Sequence, residues 1–193
     1  SMPHLGANAV AAMCEFLSRW EVRYAELAAA HPLLGSSTLS IGMVQGGVKT
    51  NVIPDRCTAS LDMRTVPPQE HAALLEEMRR LLENVCARRP GTGFHLSTSS
   101  QRPPVASPAD SPLALRLGKA VQELGGIDPT PGGVPYCTEM CIWTPVLDIP
   151  GVICGPGDPG MAHQPDEFVP VAEVELAARI YARVAAELLT GTM

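Results

Sequence analysis

The chain has 193 residues, 46% of them hydrophobic, which is room and apolar surface enough for one domain or two small ones and excludes a disordered chain. Its net charge of −6, from 14 basic and 20 acidic residues, argues against a nucleic-acid groove or a polybasic membrane anchor, both of which need clustered positive charge. No apolar run reaches the roughly 18–20 residues of a membrane span, because Pro145 and Pro150 interrupt the best candidate, residues 141–154.

Along the chain, Val10, Met13, Phe16, Leu17, Trp20, Tyr24 and Leu27 recur at three- and four-residue steps, which predicts an amphipathic helix over 8–27, closed by His31-Pro32 and Gly35. Residues 38–44 alternate as a half-buried strand, with Leu39, Ile41 and Met43 inward, and Gly46-Gly47 marks a turn. Residues 57–64 alternate more cleanly: Cys57, Ala59, Leu61 and Met63 are apolar, while Thr58, Ser60, Asp62 and Arg64 form a polar face. Pro67-Pro68 opens a second helix with the stripe Leu74, Met78, Leu81, Leu82 and Val85, stopped at Arg88-Arg89-Pro90-Gly91 with cations at its negative end. A short strand is expected over 94–98. Helix, strand, strand, helix, strand is the α+β ferredoxin-like pattern lacking its first strand.

The serine- and proline-rich stretch 97–111 can hold neither helix nor central strand and divides the chain into domains expected at 1–100 and 101–193. Beyond it, Ser111 caps a helix with Pro112 first, Leu113, Leu117, Val121 and Leu124 as its stripe, and Gly125-Gly126 at its end. A short apolar strand is expected over 151–154, and a last helix over 171–189 that buries Val174, Ala178, Tyr181, Val184 and Leu188. This is α/β structure with too few strands for a whole sheet, the end of a larger domain.

The six cysteines lie mostly inside apolar patterns without the spacing of a disulfide framework, and read as reduced, buried thiols. Cys137 and Cys141, one helical turn apart, lack a second pair to complete a zinc site. With no basic and apolar leader visible, a cytoplasmic location is expected. His163, in the loop after the apolar strand expected over 151–154, reads either as a solvated histidine or as a single metal ligand, since one histidine is not a site. Arg64 reads either as half of a surface ion pair with Asp62 or as a fork for a carboxylate. Glu76-Glu77, beside Arg79-Arg80, belong to a solvated helix face.

Gly46-Gly47-Val48-Lys49-Thr50-Asn51-Val52-Ile53-Pro54-Asp55, followed by Leu61-Asp62-Met63-Arg64, resembles the lid or dimerisation domain of the acetylornithine deacetylase and succinyl-diaminopimelate desuccinylase family of zinc-dependent amidohydrolases and peptidases. Gly155-Pro156-Gly157, then Ala162-His163-Gln164-Pro165-Asp166-Glu167 and a terminal helix, resembles the end of that family's catalytic domain. Tyr136-Cys137-Thr138-Glu139 is similar to the Thr-Glu turn of the acetylornithine deacetylase branch.

The resemblance implies a ferredoxin-like lid domain followed by the C-terminal part of an α/β zinc-hydrolase domain, and hydrolysis of the amide of an N-acyl amino acid. It implies substrate-binding roles for Asn51, which reaches a neighbouring subunit's site, for Arg64, which holds the substrate carboxylate, and for Thr138, which lines the acyl pocket. It makes His163 a metal ligand, with two zinc ions in the complete enzyme, and it implies a homodimer through the lid. The family's other metal ligands and its general base belong to a segment ahead of the lid, and Ser1 to Ala9 resemble residues just after the lid histidine. His4 is given no role. The chain is accordingly expected to be a C-terminal portion, inactive and without zinc by itself, and no catalytic residue is assigned within it. The alternatives are a non-catalytic dimerisation and ligand-binding module, or desuccinylase, aminoacylase or carboxypeptidase activity in the complete enzyme.

Overall fold

A computed structural model describes residues 6–134 and 136–191; His4 lies outside them. The chain divides into two compact units, 1–105 and 106–193.

In the first unit, helix α1 spans Ala9–Leu27, with the Asn8 side chain accepting the Ala11 N–H as its cap. His31-Pro32 does more than end this helix: the short strands β1 (Ala30–His31) and β2 (Gly35–Ser36) pair antiparallel as a small hairpin. Strands β3 (Thr38–Gly46) and β4 (Cys57–Arg64) form an antiparallel pair, and α2 spans His71–Ala87. Phe16, Leu17, Trp20 and Tyr24 of α1 meet Leu74, Met78, Leu82 and Val85 of α2 in one core, over the inner face Leu39, Ile41, Ala59, Leu61 and Met63 of the strands.

Several expectations are corrected here. The register of β3 shifts between Ile41 and Met43, so Gly42 is an extra residue and the alternation flips. Met43 then sits opposite Ser60 and is 56% exposed, where simple alternation had turned it inward. Helix α2 begins three residues after Pro68, because Val66 and Gln69 first close a turn: the Gln69 N–H donates to the Val66 carbonyl, and the Gln69 side chain accepts the Val66 N–H. Residues 94–98 form no strand. Leu96 packs against the core, but among the described residues the segment has no ladder partner, so the sheet holds two strands where three were expected.

Arg88 and Arg89 do more than offset the helix dipole. Both pair with Glu15 of α1, Arg89 Nε at 2.8 Å, while Arg19 lies 3.5 Å from the same carboxylate. These hydrogen bonds, Arg89 first, hold the Glu15 carboxyl below its usual range against an opposing push from burial.

The second unit has helix α3 (Pro112–Gly125), capped by Ser111 and closed by left-handed Gly126, the short α4 (Met140–Trp143), a single 3-10 turn (Pro159–Met161) and α5 (Val171–Thr190). Its core is Leu117 and Ala120 of α3 against Ile180 and Val184 of α5. The buried face of α5 differs from the expected one: Ala177, Ile180 and Val184 are buried, whereas Val174, Ala178, Tyr181 and Leu188 are exposed. Helix α5 is apolar on two sides, and its packing against α3 buries the side that carries Ile180 and Val184. Residues 151–154 are not a strand. Among the described residues they have no ladder partner, and single side chains hold them instead: the Ser107 hydroxyl donates to the Gly151 carbonyl and the Tyr181 hydroxyl to that of Cys154. Of the six cysteines, expected as buried thiols, only Cys141 is buried; Cys14 and Cys137 are exposed, and the other three are half-buried. No helix among the described residues is long and apolar enough to cross a membrane.

Because the folded Glu15 pKa is lowered, its pairing stabilises the fold above the ordinary carboxyl value of 4.5 and is lost as pH falls through the lowered one. Glu15→Gln is expected to lower the Tm at neutral pH, with the difference from wild type shrinking steadily as thermal melts are taken below pH 4.5.

Candidate functional site

The strict alternation of β4 turns Asp62 and Arg64 away from the core, onto the open face of the pair. There Arg64 directs Nε and Nη2 at a single carboxylate oxygen, Asp62 Oδ2, at 3.0 and 2.9 Å, with more than half of each side chain exposed. The backbone beneath is tightly held. Tyr24, 3% exposed, donates its hydroxyl to the Arg64 carbonyl at 3.2 Å, and Gln69 Nε2 donates to the Leu27 carbonyl at 3.0 Å. Ser37 accepts the Ala29 N–H and donates its own backbone N–H to the Ala29 carbonyl. Burial pushes the Tyr24 hydroxyl pKa up, against hydrogen bonds from Ser37 and Gln69. This junction ties the ends of α1 and β4 to the start of β3, and sequence reasoning missed it because Tyr24 counted only as a helix-stripe residue.

Asn51 sits in the turn joining β3 to β4, next to a hydrogen bond from the Val52 N–H to the Lys49 carbonyl. That turn leaves from the Gly46–Cys57 end of the strands, whereas Arg64 pairs with Thr38 at the other end. The full length of β4 separates the two residues, at roughly 3.3 Å per residue, so one protomer does not bring them together.

In the second unit Thr138 is half-buried, and its hydroxyl accepts the Met140 N–H at 3.3 Å as α4 begins. Gly151 packs directly on Met140, where a β-carbon would collide with the sulfur. His163 is exposed and left-handed, with φ of 65°, and Asp166 shares that conformation at 61°. Non-glycine residues rarely occupy this region without being held there. Here Glu167 Oε2 accepts the His163 N–H at 3.1 Å. Glu173, in the first turn of α5, accepts the Gly157 N–H at 2.8 Å, and Tyr181 holds Cys154 at 2.6 Å. Burial pushes the Tyr181 hydroxyl up, with Cys154 acting in the same sense, and burial raises the Cys154 thiol as well. Glu167 stood in the sequence only as part of the His163 motif, with no role of its own, and nothing in the sequence pattern singled out Glu173; both act through backbone groups. Among the described residues no group of three or more His, Cys, Asp or Glu side chains could hold a metal ion.

Residues 1–90, which carry α1, the β3–β4 pair and α2, match the family model M20_dimer, Peptidase dimerisation domain. The chain is 31% identical over 185 residues to the acetylornithine deacetylase of Yersinia pseudotuberculosis, covering 91% of this chain and 44% of that protein. Its fold is similar to that of a tripeptidase from Staphylococcus aureus, with a TM-score of 0.69 at 18% identity over 95% of this chain and 46% of that one. It is also similar to an M20 family metallo-carboxypeptidase from Sulfolobus solfataricus, with a TM-score of 0.59 at 20% identity over 78% and 35%. The chain belongs to this family of acetylornithine deacetylases and M20 peptidases, and spans less than half the length of the curated relative and of both solved structures.

Glu173→Ala removes the acceptor that holds Gly157. Hydrogen exchange is expected to quicken at the Gly157 amide while the α3 and α5 core amides stay protected; unchanged exchange at Gly157 would show that the loop does not depend on α5.

Proposed function

We propose that this chain is the lid and C-terminal portion of a metal-dependent hydrolase of N-acyl amino acids, of acetylornithine deacetylase type, in which Arg64 clamps the substrate carboxylate. The observation that carries the reading is the fork Arg64 already makes: two N–H groups on one oxygen of a carboxylate, on the exposed face of β4. Exposed pairs of this kind are worth about 0–1 kcal/mol. A substrate carboxylate offering both oxygens to the planar guanidinium therefore displaces Asp62 at little cost and gains a second aligned bond. The likeness to an acetylornithine deacetylase across 91% of the chain supports the reaction class. The adjoining Thr138-Glu139 pair, similar to the turn of that branch, favours it over desuccinylase, aminoacylase or carboxypeptidase substrates, which share the amide and the carboxylate.

In this reading Arg64 and Asn51 serve different copies of the site. Their separation along β4 supports a homodimer in which Asn51 reaches the neighbour's substrate. Thr138 lines the acyl pocket, and His163, presented by its left-handed turn, is one metal ligand. The described residues do not by themselves fit a dinuclear zinc site, since among them no group of three or more His, Cys, Asp or Glu side chains gathers around His163. Its partners belong to other parts of the polypeptide, and the contribution of this chain is orientation: Arg64 fixes the carboxylate end of the substrate, so that the amide is presented in one geometry.

Arg64→Lys in the complete hydrolase keeps the charge but loses the fork, and is expected to lower kcat/KM for a carboxylate-bearing substrate by about 1.5–3 kcal/mol. Thermal stability should stay at the wild-type value. Unchanged kcat/KM would return Arg64 to a surface ion pair.

The homodimer is expected to form through the lid, where among the described residues the outer edge of β3 has no strand partner and offers its backbone groups for strand pairing. Sedimentation at high micromolar concentration should give a dimer; a monomer there would count against the reading of Asn51.

A further inference from the structure

The foot of the loop that carries Asn51 sets the Cys57 thiol against the side of α1 that carries Val10 and, one turn on, Cys14. The first residue of α1 is pinned beside the start of β4, the Ala9 N–H donating to the Pro54 carbonyl at 2.9 Å. Gly46 is paired with Cys57, and its missing side chain is what lets the helix approach: a β-carbon there would lie 2.7 Å from the Val10 methyl and 2.9 Å from the Cys57 sulfur. Val10 of α1 and Cys57 of β4 therefore close on the same empty position. Cys14 lies four residues beyond Val10, on the same side of the helix and about 5–6 Å further along it. Cys14 is exposed and Cys57 half-buried, so one thiol is open to solvent and the other partly covered.

We propose that Cys14 and Cys57 are a reversible dithiol modification site, oxidised to an intramolecular disulfide by a low-molecular-weight disulfide such as oxidised glutathione. The Cys14 thiolate attacks one sulfur of the oxidant, whose S–S bond breaks and releases one glutathione thiolate. The Cys57 thiolate then attacks the Cys14 sulfur and expels the second glutathione. Two protein thiols lose two protons and two electrons, and one glutathione disulfide becomes two glutathione thiols. Burial pushes the Cys57 thiol up, and the charge of nearby Cys14 acts in the same sense. The second step therefore speeds up as pH rises. The bridge staples α1 to β4 at the base of the Asn51 loop, and it stands whether or not the reading of Asn51 does.

The test uses the folded 193-residue chain, treated with millimolar oxidised glutathione, quenched by alkylation and mapped by mass spectrometry after proteolysis. The expected result is the loss of two alkylatable thiols, a Cys14–Cys57 linked peptide as the dominant bridge, reversal by a reductant and a raised Tm for the bridged form. Cys57→Ser is expected to stop at glutathione held on Cys14, and Cys14→Ser to give no bridge at Cys57. Glutathione resting on Cys14 of the wild type without bridging would overturn the proposal. So would a Cys14–Cys57 share no greater in the folded chain than in urea, or a different pair dominating.

Discussion

The pleat of β4 is the constraint on which the first unit depends. A strand turns successive side chains to opposite faces, so Cys57, Ala59, Leu61 and Met63 cannot line the core without Thr58, Ser60, Asp62 and Arg64 facing away from it. The same eight residues build the floor under α1 and α2 and present the guanidinium. A slip of one residue in the β3–β4 register would bury Asp62 and Arg64 and expose the apolar set, at a cost of several kcal/mol for each uncompensated charge. The stability of the core and the position of Arg64 are thus one property of one strand.

What holds the end of that strand is polar and buried. Tyr24 packs among Phe16, Trp20 and the α2 stripe, yet its hydroxyl is spent on the Arg64 carbonyl, and Ser37 and Gln69 close the remaining backbone groups nearby. Because a buried polar group left unpaired costs about 1–3 kcal/mol, such a junction resists loosening. Arg64 therefore has a firmly held backbone and a solvent-exposed tip. That division would suit the carboxylate exchange proposed for Arg64.

The second unit is built on a different balance. Four buried side chains join α3 to α5, while Val146, Phe168, Val171, Tyr181 and Leu188 remain exposed. Its loops are held less by apolar packing than by single acceptors and donors from the helices, Glu173 at Gly157, Tyr181 at Cys154 and Glu167 at His163. Left-handed His163 and Asp166 are the local cost of that arrangement. A loop that keeps a strained residue by a carboxylate four positions on, rather than by burial, presents its side chain to solvent.

The sequence by itself determined the elements whose information is local. The period of α1, the alternation of β4, the Ser111 cap and the glycine ending α3 are each written in neighbouring residues, and the motifs around Asn51, Arg64, Thr138 and His163 carried the family. Tertiary structure decided whatever needed a partner. Residues 94–98 and 151–154 have strand-like sequences, but without a ladder partner among the described residues they stay extended loops. The bulge at Gly42 turned Met43 outward, and contact with α3 chose which apolar side of α5 is buried. Glu15 with Arg88 and Arg89, Tyr24 with Arg64, and Val10 with Cys57 across Gly46 are each separated by 40 or more residues in sequence. Periodicity reports only which face a residue occupies; which group it meets there is settled when the chain folds back on itself.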